Sequence, residues 1–344
     1  MTTLNRKIVL AQRPHGMPTP ADFSLEKAKL ATPKSGEMLL RNVYLSLDPY
    51  MRGTMNEKVL YGESTPIGGT MVGGTVAQVV ESKHPDYKEG EWVVAFGGWQ
   101  DYSISNGEGL IKLGAQPENP SQHLGVLGMP SFTAYMGLLD IGKPQAGETV
   151  VVGAATGGVG SIVGQVAKIK GARVVGIAGG KEKCDFAKQE LGFDECIDHK
   201  ADDFAEQLKQ ACPDGIDVYF ENIGGKVFSA VWPMLNVKAR VPLCGIISHF
   251  NDTELPAGPD QTPAIFAHLQ TKRITTQGFL ILDDYGDRYP EFAEQMLKWY
   301  QQGKIKYREQ LIDGLESAPE ALIGMLQGSN FGKVVIQTNQ PLAA

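Results

Sequence analysis

The first 120 residues run as short apolar or alternating stretches cut by turn residues, with no long helical period among them. Met38–Leu45, Gly74–Val80, Glu91–Ala95 and Leu110–Leu113 are bounded by Gly, Pro, Asn or Asp and predict strands. From about residue 124 the pattern changes. Strand-like runs at Thr149–Val152, Arg173–Ile177, Asp217–Phe220, Arg240–Leu243 and Arg273–Phe279 alternate with amphipathic stretches, the pattern of a parallel α/β sheet. Between the first two, Val159, Ile162, Val163, Val166 and Ile169 recur at helical spacing and give that segment one apolar face. Glu291–Trp299 predicts another helix, and the strand Lys333–Gln337 after Gly332 is expected to rejoin the first domain. The expected class is α/β: a β-rich domain from residues 1–123 and 311–344, and a central doubly wound parallel-sheet domain over residues 124–310.

A length of 344 residues suits about two domains. The 41 glycines and 20 prolines are dispersed, and no Ser/Gly or charged tract separates the halves, so interlocked domains are expected rather than beads on a linker. A net charge of -7 without a Lys/Arg block argues against nucleic acid or an anionic membrane as partner and favours a small molecule. The opening MTTLNRKIVLAQRPHG lacks the apolar core of a secretory signal, and no run approaches the roughly 18 apolar residues of a membrane span. A cytoplasmic protein is expected. Cys184, Cys196, Cys212 and Cys244 form no C-x-x-C pair and read as reduced thiols packed like small apolar residues.

Glu148-Thr-Val-Val-Val-Gly-Ala-Ala-Thr-Gly-Gly-Val-Gly160 reads as a buried strand, a glycine-rich turn and a helix start. There a pyrophosphate can meet free backbone N–H groups at a helix N-terminus. Gly157 permits close phosphate approach and Gly160 close helix–strand packing, while Ala155 replaces the first glycine of the strict G-x-G-x-x-G fingerprint. An NAD site would carry Asp or Glu about 20 residues on, at the tip of the second strand. Here the strand ends Gly176-Ile-Ala-Gly-Gly180 and continues Lys181-Glu-Lys183. A carboxylate would repel a 2′-phosphate and Lys183 would attract it, which favours NADP. On spacing alone, Lys183 could equally be an ordinary solvated lysine.

Several ordered motifs carry a family resemblance: Leu47-Asp-Pro-Tyr-Met-Arg-Gly53, Gly128-Met-Pro-Ser-Phe-Thr-Ala-Tyr135, Ala154 to Gly160, Glu221-Asn-Ile-Gly-Gly225, Cys244-Gly-Ile-Ile-Ser248, Gln277-Gly-Phe279 and Asn330-Phe-Gly-Lys333. With them the chain resembles the zinc-independent medium-chain dehydrogenase/reductases, in the branch of leukotriene B4 dehydrogenase/prostaglandin reductases and double-bond reductases. Arg13-Pro-His-Gly16, Gly98-Trp-Gln-Asp-Tyr102 and Asp198-His-Lys200 look most like the bacterial NADPH-dependent curcumin reductases of that branch. The resemblance implies a GroES-like catalytic domain from both chain ends, a central Rossmann domain, a cleft between them and a homodimer. Position by position it implies that Gly157, Gly158, Val159 and Gly160 hold the pyrophosphate of NADPH and that Lys183 and His199 meet the adenosine phosphate. It further implies that Asn222 lines the groove and that Cys244, Gly245, Ile246, Ile247 and Ser248 pass the nicotinamide half. Phe279, Leu280 and Ile281 then flank the ring and Asn330 closes over it.

Zinc-dependent relatives need three ligands and an open position. Leu47 stands near their first cysteine, Gly69-Thr-Met-Val-Gly-Gly74 replaces their Gly-His-Glu segment, and their four-cysteine lobe is missing, so no metal is expected. The implied reaction is reduction of the carbon–carbon double bond of α,β-unsaturated ketones, with curcumin and dihydrocurcumin as model substrates. Hydride reaches the β-carbon and charge builds on the carbonyl oxygen, which calls for a hydrogen-bond donor there. Relatives often place Tyr just before the Asn that here is Asn251, but this chain has Phe250. Tyr50 is therefore the candidate catalytic donor, aided by a ribose hydroxyl of the cofactor, or else an aromatic wall of the substrate site. His249, Phe250 and Asn251 are candidate substrate contacts, with His249 also a possible proton donor. Asp48 and Arg52 are expected to pair and orient their loop. NADPH-dependent quinone reduction and non-catalytic NADPH binding stand as the alternatives.

Overall fold

The computed structural model describes residues 4–59 and 61–342. The chain divides into two compact units, residues 1–125 with 309–344, and residues 126–308. The sequence pattern predicts boundaries at 123/124 and 310/311, whereas the contacts divide the chain at 125/126 and 308/309.

In the first unit β1 (Leu4–Leu10) and β2 (Phe23–Lys29) form an antiparallel pair. The main sheet contains β3 (Met38–Ser46), β4 (Thr75–Ser82), β5 (Trp92–Ala95), β6 (Tyr102–Ser105), β7 (Ile111–Gly114), β14 (Glu309–Asp313) and β15 (Lys333–Gln337). Its order is β14-β15-β3-β4-β5-β7, with β6 also on β3. The C-terminal strand β15 thus pairs with β3, as its position after Gly332 led one to expect. The short helix α1 (Tyr50–Thr54) follows β3. It sends Met51 into a core shared with Leu45, Leu47, Met55, Trp99, Leu322 and Ile336.

The second unit is built on six parallel strands: β8 (Thr149–Gly153), β9 (Arg173–Ala178), β10 (Glu195–Asp198), β11 (Ile216–Phe220), β12 (Leu235–Leu243) and β13 (Thr275–Gly278). Their order is β10-β9-β8-β11-β12-β13. All five residues of β8 are buried, because a central parallel strand is covered on both faces and therefore reads as a continuous apolar run. Helices α2 (Met129–Met136), α3 (Gly160–Ile169), α4 (Lys181–Gln189), α5 (Phe204–Ala211), α6 (Gly225–Val231), α7 (Thr262–Lys272), α8 (Ile281–Tyr285) and α9 (Tyr289–Gln301) complete it. On α3 the apolar stripe read from the sequence buries Ile162, Val163 and Val166 completely. On α9 Phe292, Met296 and Trp299 form the buried stripe at i, i+4, i+7 spacing. Strand order reverses between β8 and β11, and in open sheets of this kind ligands bind in the crevice at the carboxyl ends of such strands.

Two strands differ from the reading. The run Arg240–Leu243 begins five residues earlier, at Leu235, where exposed residues and the left-handed Lys238 (φ 64°) hide the strand pattern. The run Arg273–Phe279 shortens to β13, because Arg273 closes α7 in a left-handed conformation (φ 54°) and Phe279 turns into the core. The chain re-enters the first unit at β14, and helix α10 (Ala318–Leu326) lies there between β14 and β15. Cys184, Cys196 and Cys212 are buried, Cys244 is half-buried, and all four are free thiols.

Candidate active site

β8 ends at Gly153, and the chain turns through Ala154 (φ 50°) before α3 begins at Gly160. A Cβ on Gly160 would lie 2.3 Å from the Ala154 carbonyl oxygen and 2.8 Å from that of Gly153. The helix can start this close to the strand end only without a side chain there. Ala155, where the fingerprint has glycine, is fully buried. Its methyl lies 2.8 Å from where a Cβ of Gly176 would be, so the glycine of β9 makes room for it. Gly157, Gly158 and Val159 are half-buried at the start of α3, among backbone N–H groups that a helix cannot satisfy internally.

At the carboxyl end of β9, Gly180 (φ 100°) starts α4. Lys183 stands half-buried in its first turn, its pKa lowered by burial and by Lys200. His199 follows β10, half-buried, with a buried Nδ1 that has no hydrogen-bond partner among the described residues. Burial, then Lys226 and Lys200, lower its pKa. Asp198 accepts the N–H groups of Gly180 and Lys200, both at 2.9 Å, and so serves the backbone of this corner. Lys183 and His199, named from the sequence, thus share one electropositive corner with Lys200 and Lys226, which sequence reasoning missed. Lys200 lies beside His199 in a quoted motif and was within reach, whereas Lys226 comes from α6 and only folding brings it here.

At the strand-order reversal, Asn222 Nδ2 donates to the Gly153 carbonyl at 3.1 Å and ties the end of β11 to that of β8. Glu221 beside it is 2 % exposed. Its Oε1 accepts from Ile223 N–H, Gly224 N–H and the Tyr219 hydroxyl at 2.6, 2.9 and 2.9 Å, and burial raises its pKa. The segment after β12 runs along this turn: Cys244 and Gly245 N–H donate to the Glu221 carbonyl, Ile247 N–H to that of Asn222 and Ser248 N–H to that of Ile223. Cys244 stays a thiol, since burial and the nearby Glu221 push it up to about 12. Where β12 and β13 end, a cavity of about 360 Å³ opens between Cys244, Gly245, Ile246, Phe279, Leu280 and Asp284. The structure brings together Cys244, Gly245, Ile246, Phe279 and Leu280, all named from the sequence, and adds Asp284, which was not. The Phe279 ring is 8 % exposed and packs edge-on against Phe220 and Tyr285, while Leu280 is 38 % exposed and Ile281 half-buried.

Beyond Ser248, His249 Nε2 accepts from Gly225 N–H at 3.0 Å, and its Nδ1 lies 2.7 Å from Asp252 Oδ2. Phe250 and Asn251 follow, both half-buried. Two named residues belong to the first unit. Asn330, in the loop before β15, donates from Nδ2 to the Gly332 carbonyl at 3.0 Å. Tyr50 opens α1 half-buried, and burial, followed by Asp48 and Tyr61, raises its pKa, so its phenol remains an O–H donor. The expected partnership of Asp48 with Arg52 is corrected. Asp48 pairs with the buried Lys333 at 3.1 Å and accepts from the Ser46 hydroxyl, whereas Arg52 reaches Asn56 Oδ1 at 2.7 Å and the Gly16 carbonyl at 2.8 Å. The Lys333 side chain, placed by β15, is the nearer cation. Among the described residues no three His, Cys, Asp or Glu side chains gather as a metal site, and no helix is long and apolar enough to cross a membrane.

Comparison with known proteins gives this geometry a context. Residues 6–113 match the family described as the N-terminal domain of oxidoreductase, and residues 158–301 match that described as zinc-binding dehydrogenase. The chain is 61 % identical over 333 residues to an NADPH-dependent curcumin reductase of Escherichia coli (strain K12), covering 97 % of this chain and 96 % of that protein. It is 40 % identical to an NADP(+)-dependent 2-alkenal reductase of Nicotiana tabacum, over 98 % of each chain. The solved structure of CurA from Vibrio vulnificus in complex with NADPH superposes with a TM-score of 0.96 at 62 % identity, covering 98 % of this chain and 100 % of that one. Glycine turn, sheet order and these relatives together place the chain in the medium-chain dehydrogenase/reductase superfamily, and it belongs there to the branch of prostaglandin reductases and double-bond reductases.

Proposed function

We propose that this protein is an NADPH-dependent reductase of the carbon–carbon double bond of α,β-unsaturated ketones, with curcumin and dihydrocurcumin among its substrates. The observation that carries this is the 61 % identity, over nearly the whole chain, with an NADPH-dependent curcumin reductase. The residues fit the cofactor. At Gly160 a side chain would fill the place where helix meets strand, and Lys183, His199, Lys200 and Lys226 offer a cationic corner suited to a 2′-phosphate rather than a bare ribose. When bound, NADPH supplies the hydride that the β-carbon of the enone receives.

In this reading Gly157 to Gly160 cradle the pyrophosphate, and Asn222, Cys244 to Ser248 and Phe279 to Ile281 form the groove for the nicotinamide half. Asn330, in the loop before β15, is a further cofactor-binding residue. Tyr50 donates its hydroxyl proton in a hydrogen bond to the carbonyl oxygen as enolate charge develops, a role supported by the raised pKa that keeps the phenol protonated. Phe250 and Asn251 contact the substrate. No metal takes part, a proposal supported by Leu47 being sealed in the core at 1 % exposure.

The protein is further proposed to be a cytoplasmic homodimer. Supporting this, β13 leaves all four of its residues exposed at the sheet edge, and α7 buries none of its residues, with Phe266 63 % exposed. Light scattering on the eluted protein tests the dimer. The functional test is NADPH consumption against a panel of enones and quinones with mass spectrometry of the products. Reduction of quinones alone, or binding without turnover of any acceptor, overturns the proposal.

A further inference from the structure

Six backbone and side-chain contacts join two segments of the second unit like the rungs of a ladder. The Glu221–Gly225 turn supplies one rail and Cys244–His249 the other. From Cys244 to Ser248 the rungs are backbone N–H groups donating to the carbonyls of Glu221, Asn222 and Ile223, with the Ser248 hydroxyl adding a bond to Ile223. At His249 the direction reverses: the Gly225 N–H at the first position of α6 donates to the ring Nε2 at 3.0 Å. That N–H has no partner within its own helix, so His249 satisfies from outside a donor that α6 cannot satisfy itself.

This bond fixes the chemical form of the ring. Nε2 is an acceptor and carries no proton, so in a neutral imidazole the proton is on Nδ1, which lies 2.7 Å from Asp252 Oδ2 and donates to it. An imidazolium would set two donors against each other across 3.0 Å. The fit is close. A Cβ on Gly224 would lie 2.8 Å from His249 Cδ2, and one on Gly225 3.0 Å from Ser248 Oγ; both glycines have positive φ, 76° and 53°. Past this last rung the chain carries Phe250 and Asn251 and then enters the exposed stretch 253–261.

We propose that His249 is a positioning residue, neither a proton donor nor a substrate ligand: as the Nδ1–H tautomer it clamps the Gly224–Gly225 turn to Asp252 and so holds Phe250 and Asn251 in place for the substrate. The inference rests on the reductase reading. Because four backbone rungs hold Cys244–Ser248 independently of His249, the clamp acts on the substrate end of the segment and leaves the cofactor end as it was.

Three variants separate the roles. His249→Gln keeps an acceptor near the Nε2 position, His249→Asn reaches only as far as Nδ1, and His249→Ala keeps neither. With NADPH saturating, the expected result is an enone KM raised about 5- to 30-fold in His249→Ala and His249→Asn, the loss of about one or two hydrogen bonds, with kcat nearly kept and His249→Gln close to wild type. NADPH affinity is expected within about twofold throughout, well under the effect of losing one hydrogen bond. Independently of turnover, ring-nitrogen chemical shifts of the free protein at neutral pH are expected to report the Nδ1–H tautomer, and Asp252→Ala to leave the Nε2 signal that of an acceptor. A fall in kcat in all three variants at unchanged KM, no recovery by Gln, or an Nε2–H or imidazolium ring overturns the inference. Wild-type enzyme that reduces no enone would instead overturn the reductase reading, which the same assay shows before any variant is measured.

Discussion

Replacing Lys183 by alanine should separate the two nicotinamide cofactors. The lysine stands in the first turn of α4, half-buried, beside Lys200 and near the corner that His199 and Lys226 share, and its lowered pKa reflects burial and the neighbouring cation. Lys200 lowers the pKa of both Lys183 and His199, and Lys226 lowers that of His199, so an anion bound here relieves repulsion among them. A unit charge pair about 4 Å apart at an effective dielectric near 20 gains roughly 4 kcal/mol, before desolvation and side-chain ordering are charged against it. What survives for a charge-assisted hydrogen bond is about 1.5–3 kcal/mol, or about 10- to 150-fold in Kd. Lys200 and Lys226 remain in the variant and still attract the phosphate, so the lower part of that range is expected. NADH carries no 2′-phosphate and should bind within about twofold of its wild-type affinity, less than one hydrogen bond is worth. Quenching of protein fluorescence gives both constants, and the ratio of NADPH to NADH loss is the quantity that matters. Raising salt should weaken NADPH binding to wild type more steeply than to Lys183→Ala, since one screened contact is gone. Equal losses for both cofactors, or an unchanged NADPH constant, would refute the assignment.

Other expectations concern the remaining parts of the site. Tyr50→Phe should lower kcat and kcat/KM together by about 10-fold, less than the about 10²–10³ typical of a sole oxyanion donor because a cofactor hydroxyl shares the charge, with NADPH affinity unchanged; full kcat in Tyr50→Phe with a raised KM in Tyr50→Ala would make it a packing wall. Prolonged chelation should leave activity intact and elemental analysis should find no stoichiometric zinc. His199, held neutral at neutral pH by burial, Lys226 and Lys200, should gain proton affinity when a phosphate dianion arrives, so NADPH binding takes up protons and tightens as pH falls, until the phosphate itself protonates near about pH 6. Calorimetry in buffers of different ionisation enthalpy should show that uptake for NADPH, not for NADH, and not in His199→Gln. Gly160→Ala should displace α3 from β8 at a cost of about 1–3 kcal/mol, read as a lowered Tm and weakened binding of both cofactors alike.

What could be read in the sequence follows from where each element lies. β8 is buried on both faces and has an unbroken apolar signal, and β15, flanked by β14 and β3 with four of its five residues buried, was equally plain. β1 and β2 were not, because most of β2 is exposed and carries charge; β13 was read as a strand but too long at both ends, since its four exposed residues leave no hydrophobic period to mark its bounds. The glycine turn was legible because backbone constraint there is local. The corner around Lys183 was half legible: Lys183 and His199 came from motifs, but Lys226 arrives from α6. His249 was read as a substrate contact for the same reason, since nothing adjacent in sequence tells that Gly225 fills its second nitrogen.

The residues around Tyr50 show why motifs far apart in the chain go together. Tyr50 sits on a helix of only five residues, too short to be stable by its own hydrogen bonds. Its stability has to come from elsewhere. Arg13 donates to the Met55 carbonyl at 2.8 Å and to that of Thr65 at 3.3 Å, and Arg52 ties the helix to Asn56 and Gly16. Lys333, from the opposite end of the chain, is 3 % exposed at its side chain and holds both Asp48 and the Leu47 carbonyl, the latter at 2.6 Å. The Arg13-Pro-His-Gly16, Leu47–Gly53 and Asn330–Lys333 motifs are therefore braces of one element in the first unit. The Lys333–Asp48 pair is the decisive brace, because removing one partner strands a buried charge and typically costs about 3–5 kcal/mol, whereas an exposed pair is worth about 1 kcal/mol or less. Lys333→Met should consequently displace the start of α1 and lower kcat as far as Tyr50→Phe does, although Lys333 is assigned no contact with substrate. A combined Lys333→Met, Asp48→Leu variant, which leaves no charge unpaired, should recover stability measured by Tm without recovering kcat. Recovery of both would mean that Tyr50 does not depend on where this buried pair holds it.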